Sequence, residues 1–197
     1  VTTGKPHFDA AHFEQEAEQV ADAAEALKLR HVVVTSVARD DLADGGASGF
    51  CHTIAALRKR LPKVTVEVLI PDFRGNHEAI EAVVAARPDV LNHNLETVPR
   101  LYRRVRPGST YTRSLELLEY AKQKDPTLLT KTGIMVGLGE TLQEIIELMA
   151  DCRRHDIDSF TAGQYLRPTL DHLPVAEYLS PERFTEIEQL ARAAGFK

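Results

Sequence analysis

Short β-branched or apolar runs alternate with helical stripes along this chain, and this alternation constrains its fold more than any single motif. Five such runs are found, at residues 31–37, 64–70, 90–96, 128–136 and 159–166. A helical stripe at residues 11–29 precedes the first run, and a helix is predicted after each run. Strands joined by helices pair in parallel, because the helix carries the chain back to the same end of the sheet. The pattern therefore predicts an α/β fold, built either as a doubly wound sheet or as a (β/α) barrel.

Composition excludes several classes of function. The 197 residues carry a formal net charge of −5 and no Trp, which gives no electrostatic or stacking support for nucleic-acid binding. No apolar run approaches the roughly 18 residues that span a membrane. Residues 1–6 read as a loop and lack a signal-peptide pattern. We therefore expect a cytoplasmic protein that binds neither nucleic acid nor membrane, with residues 1–197 forming a single domain.

The two cysteines, Cys51 and Cys152, are far apart in the sequence and belong to no paired motif. This spacing excludes a disulfide framework and a metal or cluster site built on cysteines. Because both residues fall on apolar helix stripes, we expect buried thiols. No metal-binding residue is predicted.

Several helix starts have local signatures. Asn76 is a predicted N-cap, and Thr141 with Glu144 forms a capping box. Ser180 precedes Pro181, which is typical of a cap followed by the first helical turn. Another helix is expected from about residue 114 to residue 124.

Functional side chains are expected at the C-terminal ends of the strands, in a barrel as in a doubly wound sheet. Thr35, Ser36, Arg39 and Asp40 follow the first strand. Their hydroxyls and carboxylates suit an ammonium group and the arginine suits a carboxylate, so together they suit an amino-acid moiety. A helix-capping loop with solvated acids is the alternative.

The third run ends in polar residues. Alternation along a strand places Asn94 and Glu96 on one face, where they suit the hydroxyls of a ribose. His93 falls on the other face and is expected to be a hydrogen-bonded structural residue. The arginine-rich stretch 100–113 that follows suits an acidic partner or a substrate carboxylate, or else forms a solvated face.

The fourth strand is followed by a glycine-rich turn. Gly137 lets the backbone approach a flat ligand, and Met135 offers a soft apolar contact to a planar ring. Glu140 is placed to accept hydrogen bonds from this loop. An ordinary glycine turn is the alternative. Further polar residues are expected to face the same mouth: Lys131, Gln164 and Arg167.

Four long strings, taken in order, resemble the lipoyl synthase family of radical S-adenosylmethionine (SAM) enzymes. They are VVVTSVARDDLADGGA, VLNHNLETVPRLYRRVRPGSTYTRSLELL, KTGIMVGLGET and QYLRPTLDHLPVAEYLSPERF. The resemblance implies a partial (β/α)6 barrel of the radical SAM type, whose first strand would precede Val1. It also implies SAM and two [4Fe-4S] clusters as cofactors, with the cluster ligands outside this chain.

The family reaction inserts two sulfur atoms into a protein-bound octanoyl chain, after SAM cleavage yields a 5′-deoxyadenosyl radical. The resemblance thus implies two partners, an octanoylated lipoyl-carrier protein or domain and an electron donor protein. It assigns Asn94 and Glu96 to the ribose of SAM, and Met135 and Gly137 to the adenine. The residues assigned to the methionyl end are those that follow the first strand: Thr35, Ser36, Arg39 and Asp40. Lys131, Gln164 and Arg167 are assigned to SAM or the acyl substrate. No side chain is proposed as an acid–base catalyst.

Three other functions remain open. A biotin-synthase-like enzyme shares the radical chemistry but not the strings around residues 92–102 and 167–175. A barrel lyase or aldolase without SAM would use Lys131 as a Schiff base. A non-catalytic binding module is the third possibility.

Overall fold

The structure, a computed structural model, describes residues 10–197. The predicted loop at residues 1–6 lies outside the described residues. Five strands belong to one sheet: β1 (His31–Thr35), β2 (Thr65–Leu69), β3 (Val90–Asn92), β4 (Leu129–Val136) and β5 (Ser159–Gln164). The pairs β1–β2, β3–β4 and β4–β5 are all parallel. The α/β prediction is therefore confirmed.

Helices separate the strands in the predicted order. They are α1 (Ala10–Ala26), α2 (Ala47–Arg60), α3 (His77–Ala85), α4 (Tyr102–Val105), α5 (Tyr111–Lys124), α6 (Leu142–Arg154) and α7 (Pro181–Ala193). Two short 3-10 turns, Phe73–Gly75 and Pro99–Leu101, complete the described elements.

The helix starts that were predicted from capping side chains are confirmed. Asn76 caps α3 by accepting a hydrogen bond from the Ala79 amide at 3.2 Å. Both bonds of the capping box are present at α6, and Ser180 caps α7. The helix expected from residue 114 begins at Tyr111 instead, because Thr110 accepts a hydrogen bond from the Arg113 amide at 3.3 Å.

The described residues divide into two compact units, the first ending at Asp89 and the second running from Val90 to Lys197. In the first, α1 packs against α2, and the core contains Ile54 and Leu57 beneath the strands β1 and β2. In the second, α5 packs on β4, and Leu118 and Leu148 are fully buried. Burial of these apolar side chains holds each unit together, at about 1.5–3 kcal/mol for each large one.

The third strand is shorter than predicted, because it ends at Asn92 instead of Glu96. Asn92 pairs with Lys131, so a regular register would bring Glu96 opposite Met135, but Glu96 bridges to Ile134. This shift of one residue is a bulge, and a bulge re-aims the side chains beyond it. The regular strand is therefore shorter than expected, but the predicted alternation is retained beyond it: His93 and Leu95 are buried, while Asn94 and Glu96 are partly exposed.

The two cysteines differ in burial. Cys152 is fully buried, and burial raises the pKa of its thiol to about 12. Cys51 is only half-buried on α2, where its thiol lies 3.4 Å from the Ala82 carbonyl. The expectation of buried thiols is confirmed for Cys152 alone. Within residues 10–197, no helix combines the length and apolar character needed to cross a membrane.

Candidate functional site

Three of the residues predicted after the first strand line one pocket of the first unit. Thr35, Ser36 and Arg39 share a cavity of about 240 Å³ with residues of α1 and α2. The Thr35 hydroxyl donates to the Leu69 carbonyl at 3.1 Å, which ties the end of β1 to β2. The pocket therefore combines hydroxyl and guanidinium groups with apolar side chains such as Phe13 and Phe50.

Ion pairs hold the loop that follows β1. Arg39 donates two hydrogen bonds to Asp41, at 2.8 and 2.7 Å, and these bonds lower the pKa of the Asp41 carboxyl. Asp40 points elsewhere and pairs with Arg74 at 2.8 Å. The structure thus separates Asp40 from the pocket that holds Arg39.

The same loop also ends in a helix cap. Asp44 accepts hydrogen bonds from the amides of Gly46 and Ser48, at 2.9 and 2.8 Å, at the start of α2. The capping alternative is therefore confirmed for Asp44, and it coexists with the pocket at Arg39.

In the second unit, Asn94 and Glu96 lie together beside β4. The Glu96 amide donates to the Gly133 carbonyl at 3.0 Å, and the Met135 amide donates to the Glu96 carbonyl at 2.8 Å. A Cβ placed on Gly133 would come within 3.0 Å of the Asn94 side-chain oxygen. Asn94 therefore covers the glycine of β4, which explains why no larger residue fits there.

The carboxyl group of Glu96 is largely buried, and burial raises its pKa. The charge of Arg106 and a hydrogen bond from the Asn94 side chain act in the opposite direction, because they favour the ionised form. Glu96 also has a backbone φ of 69°, which is unusual for a residue with a Cβ. A partly exposed carboxylate held in this way can accept hydrogen bonds from ligand hydroxyls.

His93 is a structural residue, as predicted. Its ring is buried, and its Nε2 atom lies 3.0 Å from the Ser114 hydroxyl. The backbone on either side of it is bound by Thr132, whose hydroxyl donates to the His93 carbonyl at 2.9 Å and accepts from the Leu95 amide at 3.1 Å. This side chain replaces backbone partners at the bulge.

Alternation along β4 places Lys131 and Met135 on one face. Both are partly exposed, while Thr130, Thr132 and Ile134 are buried on the other face. A flexible cation and a soft thioether therefore share the side of β4 on which Gly133 faces Asn94.

The glycine-rich turn after β4 has the predicted hydrogen bonds. The Glu140 carboxylate accepts from the amides of Gly137 and Leu138, at 2.5 and 2.9 Å, so the expectation for Glu140 is confirmed. Gly137 has a φ of 95°, which strongly favours glycine. The groups closest to it are the Gln164 side chain and the Glu177 carbonyl, so protein atoms approach this glycine.

Gln164 and Arg167 are engaged by the segment 165–179. The Gln164 amide nitrogen donates to the Glu177 carbonyl at 3.1 Å, and its oxygen accepts from the Leu179 amide at 2.9 Å. Arg167 donates to the carbonyls of His172, at 2.9 Å, and Leu170. Both side chains thus order this segment, and their contacts with a ligand stay predictions.

The model of the Radical SAM superfamily matches residues 5–152, about three quarters of the chain. The chain belongs to the radical SAM superfamily. It is 62% identical over 184 residues to the lipoyl synthase of Caldanaerobacter subterraneus subsp. tengcongensis, covering 93% of this chain and 64% of that relative. It is 53% identical over 197 residues to the lipoyl synthase of Rubrobacter xylanophilus, covering 100% of this chain and 60% of that relative. The chain thus spans less than two thirds of the length of these relatives.

Solved structures with low sequence identity share the fold. Methylornithine synthase (PylB) superposes with a TM-score of 0.72 at 16% identity, covering 91% of this chain and 53% of that protein. Streptococcus suis SuiB bound to S-adenosylmethionine superposes with a TM-score of 0.69 at 13% identity, covering 91% of this chain and 40% of that protein. These likenesses support a barrel of the radical SAM type over a doubly wound sheet.

Membership of this superfamily implies SAM and iron–sulfur chemistry. Among residues 10–197, no three His, Cys, Asp or Glu side chains are grouped so that they could hold a metal ion. The described side chains therefore do not fit an iron–sulfur cluster. Arg39 has the chemistry to bind a carboxylate and Glu96 to accept hydrogen bonds from hydroxyls, and SAM carries both kinds of group.

The sequence placed Arg106 in the arginine-rich stretch, as a residue that docks an acidic partner or substrate carboxylate or else is solvated. The structure shows another role for it. Its guanidinium donates to the Asn94 carbonyl at 2.6 Å and acts electrostatically on Glu96.

Proposed function

We propose that this chain is the SAM-binding part of a lipoyl synthase, which inserts two sulfur atoms into a protein-bound octanoyl chain. The observation that carries the proposal is 53–62% identity to proteins named lipoyl synthase over 93–100% of the chain. The proposal concerns the intact protein, because the chain spans only part of those relatives.

SAM supplies the radical chemistry when it is bound, and the chain's own residues position it. Ser36 and Arg39 line the pocket of the first unit, where they would bind the ammonium and carboxylate of the methionyl end. Thr35 would complete this subsite, while Asp40 acts through the loop that it anchors to Arg74.

The second unit would bind the nucleoside. Asn94 and Glu96 offer an amide and a carboxylate to the two ribose hydroxyls, and the partial burial of Glu96 strengthens such bonds. Met135 would line the adenine. Gly137, whose Cα is covered by Gln164 and Glu177, would contribute through the peptide backbone of the turn that Glu140 binds. Binding at several points fixes the reactive end of SAM against the substrate.

Three further side chains are assigned to the mouth of the barrel. We propose that Lys131 binds SAM or the acyl substrate directly, since its flexible cation lies on the same face of β4 as Met135. Gln164 and Arg167 would act by ordering the segment 165–179, which covers Gly137 and would help to exclude water.

The remaining features of the intact enzyme are proposed from the resemblance. They are two [4Fe-4S] clusters held by residues outside this chain, an octanoylated lipoyl-carrier protein as substrate, and an electron donor protein. We also propose a cytoplasmic location and a single barrel domain that includes residues 1–197.

The test is an assay of the full-length protein, purified without oxygen and with its clusters reconstituted. Octanoylated carrier protein, SAM and a reductant should yield lipoylated carrier and 5′-deoxyadenosine. The matched comparison replaces the carrier with dethiobiotin, the substrate expected of a biotin-synthase-like enzyme. Turnover of dethiobiotin without any lipoyl product would overturn the proposal.

A further inference from the structure

A partly buried polar network lies beside Asn94 and Glu96, and Arg106 is at its centre. The guanidinium Nη1 atom donates to the Asn94 carbonyl at 2.6 Å, and it lies 3.2 Å from the Tyr102 hydroxyl and 3.3 Å from the His93 Nε2 atom. Ser114 joins the network, 2.8 Å from the Tyr102 hydroxyl. One cation thus connects α4, α5 and the bulge after β3.

Several acceptors surround this one cation. The Nη1 atom of Arg106 has two N–H groups, and atoms of Asn94, Tyr102, Ser114 and His93 lie within 3.3 Å of it. The Asn94 carbonyl is the nearest of them, at 2.6 Å, so this is the best formed of the four contacts.

The bond from Arg106 holds the backbone where it is strained. Asn94 precedes the bulge residue Glu96, whose φ of 69° costs on the order of 1 kcal/mol for a residue with a Cβ. Such a conformation persists only when its surroundings fix it, and Arg106 binds the carbonyl of Asn94 at the shortest distance in the network, 2.6 Å. The same cation favours the ionised carboxylate of Glu96.

We propose that Arg106 is a positioning residue for nucleoside binding: it holds Asn94 and the left-handed Glu96 in the geometry that receives the ribose hydroxyls. The inference rests on the proposed function, in which Asn94 and Glu96 bind the ribose of SAM. Arg106 itself touches no ligand in this account. Its removal should weaken SAM binding while leaving the chemical step intact, because preorganisation is lost before the reaction begins.

The experiment uses the full-length enzyme with its clusters reconstituted. Arg106→Met removes the charge and the hydrogen bonds, and Arg106→Lys keeps the charge and one donor nitrogen. Arg103→Met is the matched control, since Arg103 is exposed on α4, the short helix whose C-cap is Arg106. For each variant we would measure the SAM dissociation constant by calorimetry, and KM for SAM and kcat from 5′-deoxyadenosine release.

We expect Arg106→Met to raise the dissociation constant and KM by about tenfold or more, the effect of losing a charge-assisted hydrogen bond. The value of kcat should change little. Arg106→Lys should recover part of the affinity, and Arg103→Met should match the parent enzyme. A folded Arg106→Met protein with unchanged SAM affinity, or with lower kcat at unchanged KM, would overturn the positioning role.

A milder variant keeps the test decisive if Arg106→Met does not fold. Tyr102→Phe removes one acceptor of Arg106 but retains the edge-to-face contact with Tyr111, at 5.7 Å between ring centres. Tyr102→Phe should also weaken SAM binding, and unchanged affinity would contradict the proposal.

Glu96→Gln separates the positioning role of Arg106 from the assignment of Asn94 and Glu96 to the ribose. If it weakens SAM binding while Arg106 variants do not, only the positioning role fails; if it has no effect, the ribose assignment fails as well.

Discussion

Glu96 shows how far single residues could be assigned from the sequence. Its type and its alternation with Leu95 predicted the face that it shares with Asn94, but not the bulge that shifts its partner on β4 to Ile134. The bulge depends on the Thr132 hydroxyl, which binds the backbone of His93 and Leu95. A side chain from another strand cannot be found by local periodicity, so the geometry of this site required the structure.

Gly133 is a position of β4 at which a side chain would disturb Asn94. A Cβ there would lie 2.6 Å from the Thr161 hydroxyl and 3.0 Å from the Asn94 side-chain oxygen. We expect Gly133→Ala to destabilise the protein by about 1–3 kcal/mol, because neither neighbour can retreat without breaking its own contacts. Urea unfolding of parent and variant measures the difference.

Gly163→Ala is the matched control, on the neighbouring strand β5. A Cβ on Gly163 meets nothing within 4 Å. Its replacement should be neutral or stabilise by about 0.4–1 kcal/mol, since alanine restricts the unfolded chain. If Gly133→Ala and Gly163→Ala changed the free energy of unfolding equally, the close contacts at Gly133 would not destabilise the variant and the prediction would be wrong.

At the scale of elements, local signals predicted helix starts better than loops. The caps at Asn76, Thr141 and Ser180 lie within three or four residues of the groups that they bind, so the sequence contains the whole interaction. Gln164 depends on backbone groups more than ten residues away, at Glu177 and Leu179. Its structural role was therefore not predictable from local pattern.

A carboxylate at the start of α6 makes the stability of the folded protein depend on pH. Glu144 accepts two hydrogen bonds from Arg100, at 2.7 and 2.9 Å, and one from the Thr141 amide, and these lower its pKa to about 2. The ionised form therefore favours folding above the ordinary glutamate pKa of about 4.3, and this contribution is lost as the pH falls through about 2.

Glu144→Gln removes this charge but retains a side chain that can close the capping box. At neutral pH we expect a loss of up to about 1 kcal/mol, because the ion pair is partly exposed. The difference should shrink as the pH approaches 2, as followed by denaturation midpoints across this range. Glu147→Gln, at an exposed position of the same helix, should show a smaller dependence; identical profiles would refute the assignment to the Arg100 pair.

For the whole molecule, the alternation of strand-like runs and helical stripes was sufficient to predict an α/β fold. The pattern extends over many positions, so a wrong prediction at one of them does not change the result. It was not sufficient to separate a doubly wound sheet from a barrel, since both use the same strand–helix units. That choice rested on the resemblance of long strings, and the likeness to PylB at a TM-score of 0.72 agrees with it. The repeating pattern thus predicts the α/β class, while particular residues are needed to recognise the family and, with it, the barrel.

Each unit contains a residue proposed to contact SAM, Arg39 in the first and Glu96 in the second. We therefore expect Arg39→Met in the first unit and Glu96→Gln in the second to raise the SAM dissociation constant, each by about tenfold. Arg60→Met is the control, because Arg60 pairs with Glu18, Asp22 and Glu25 outside the pocket of Arg39. Its loss should lower stability without changing SAM affinity, as measured by calorimetry on the full-length enzyme. If Arg39→Met binds SAM as the parent does while Glu96→Gln does not, the pocket of the first unit serves another ligand, and only the nucleoside half of the assignment remains.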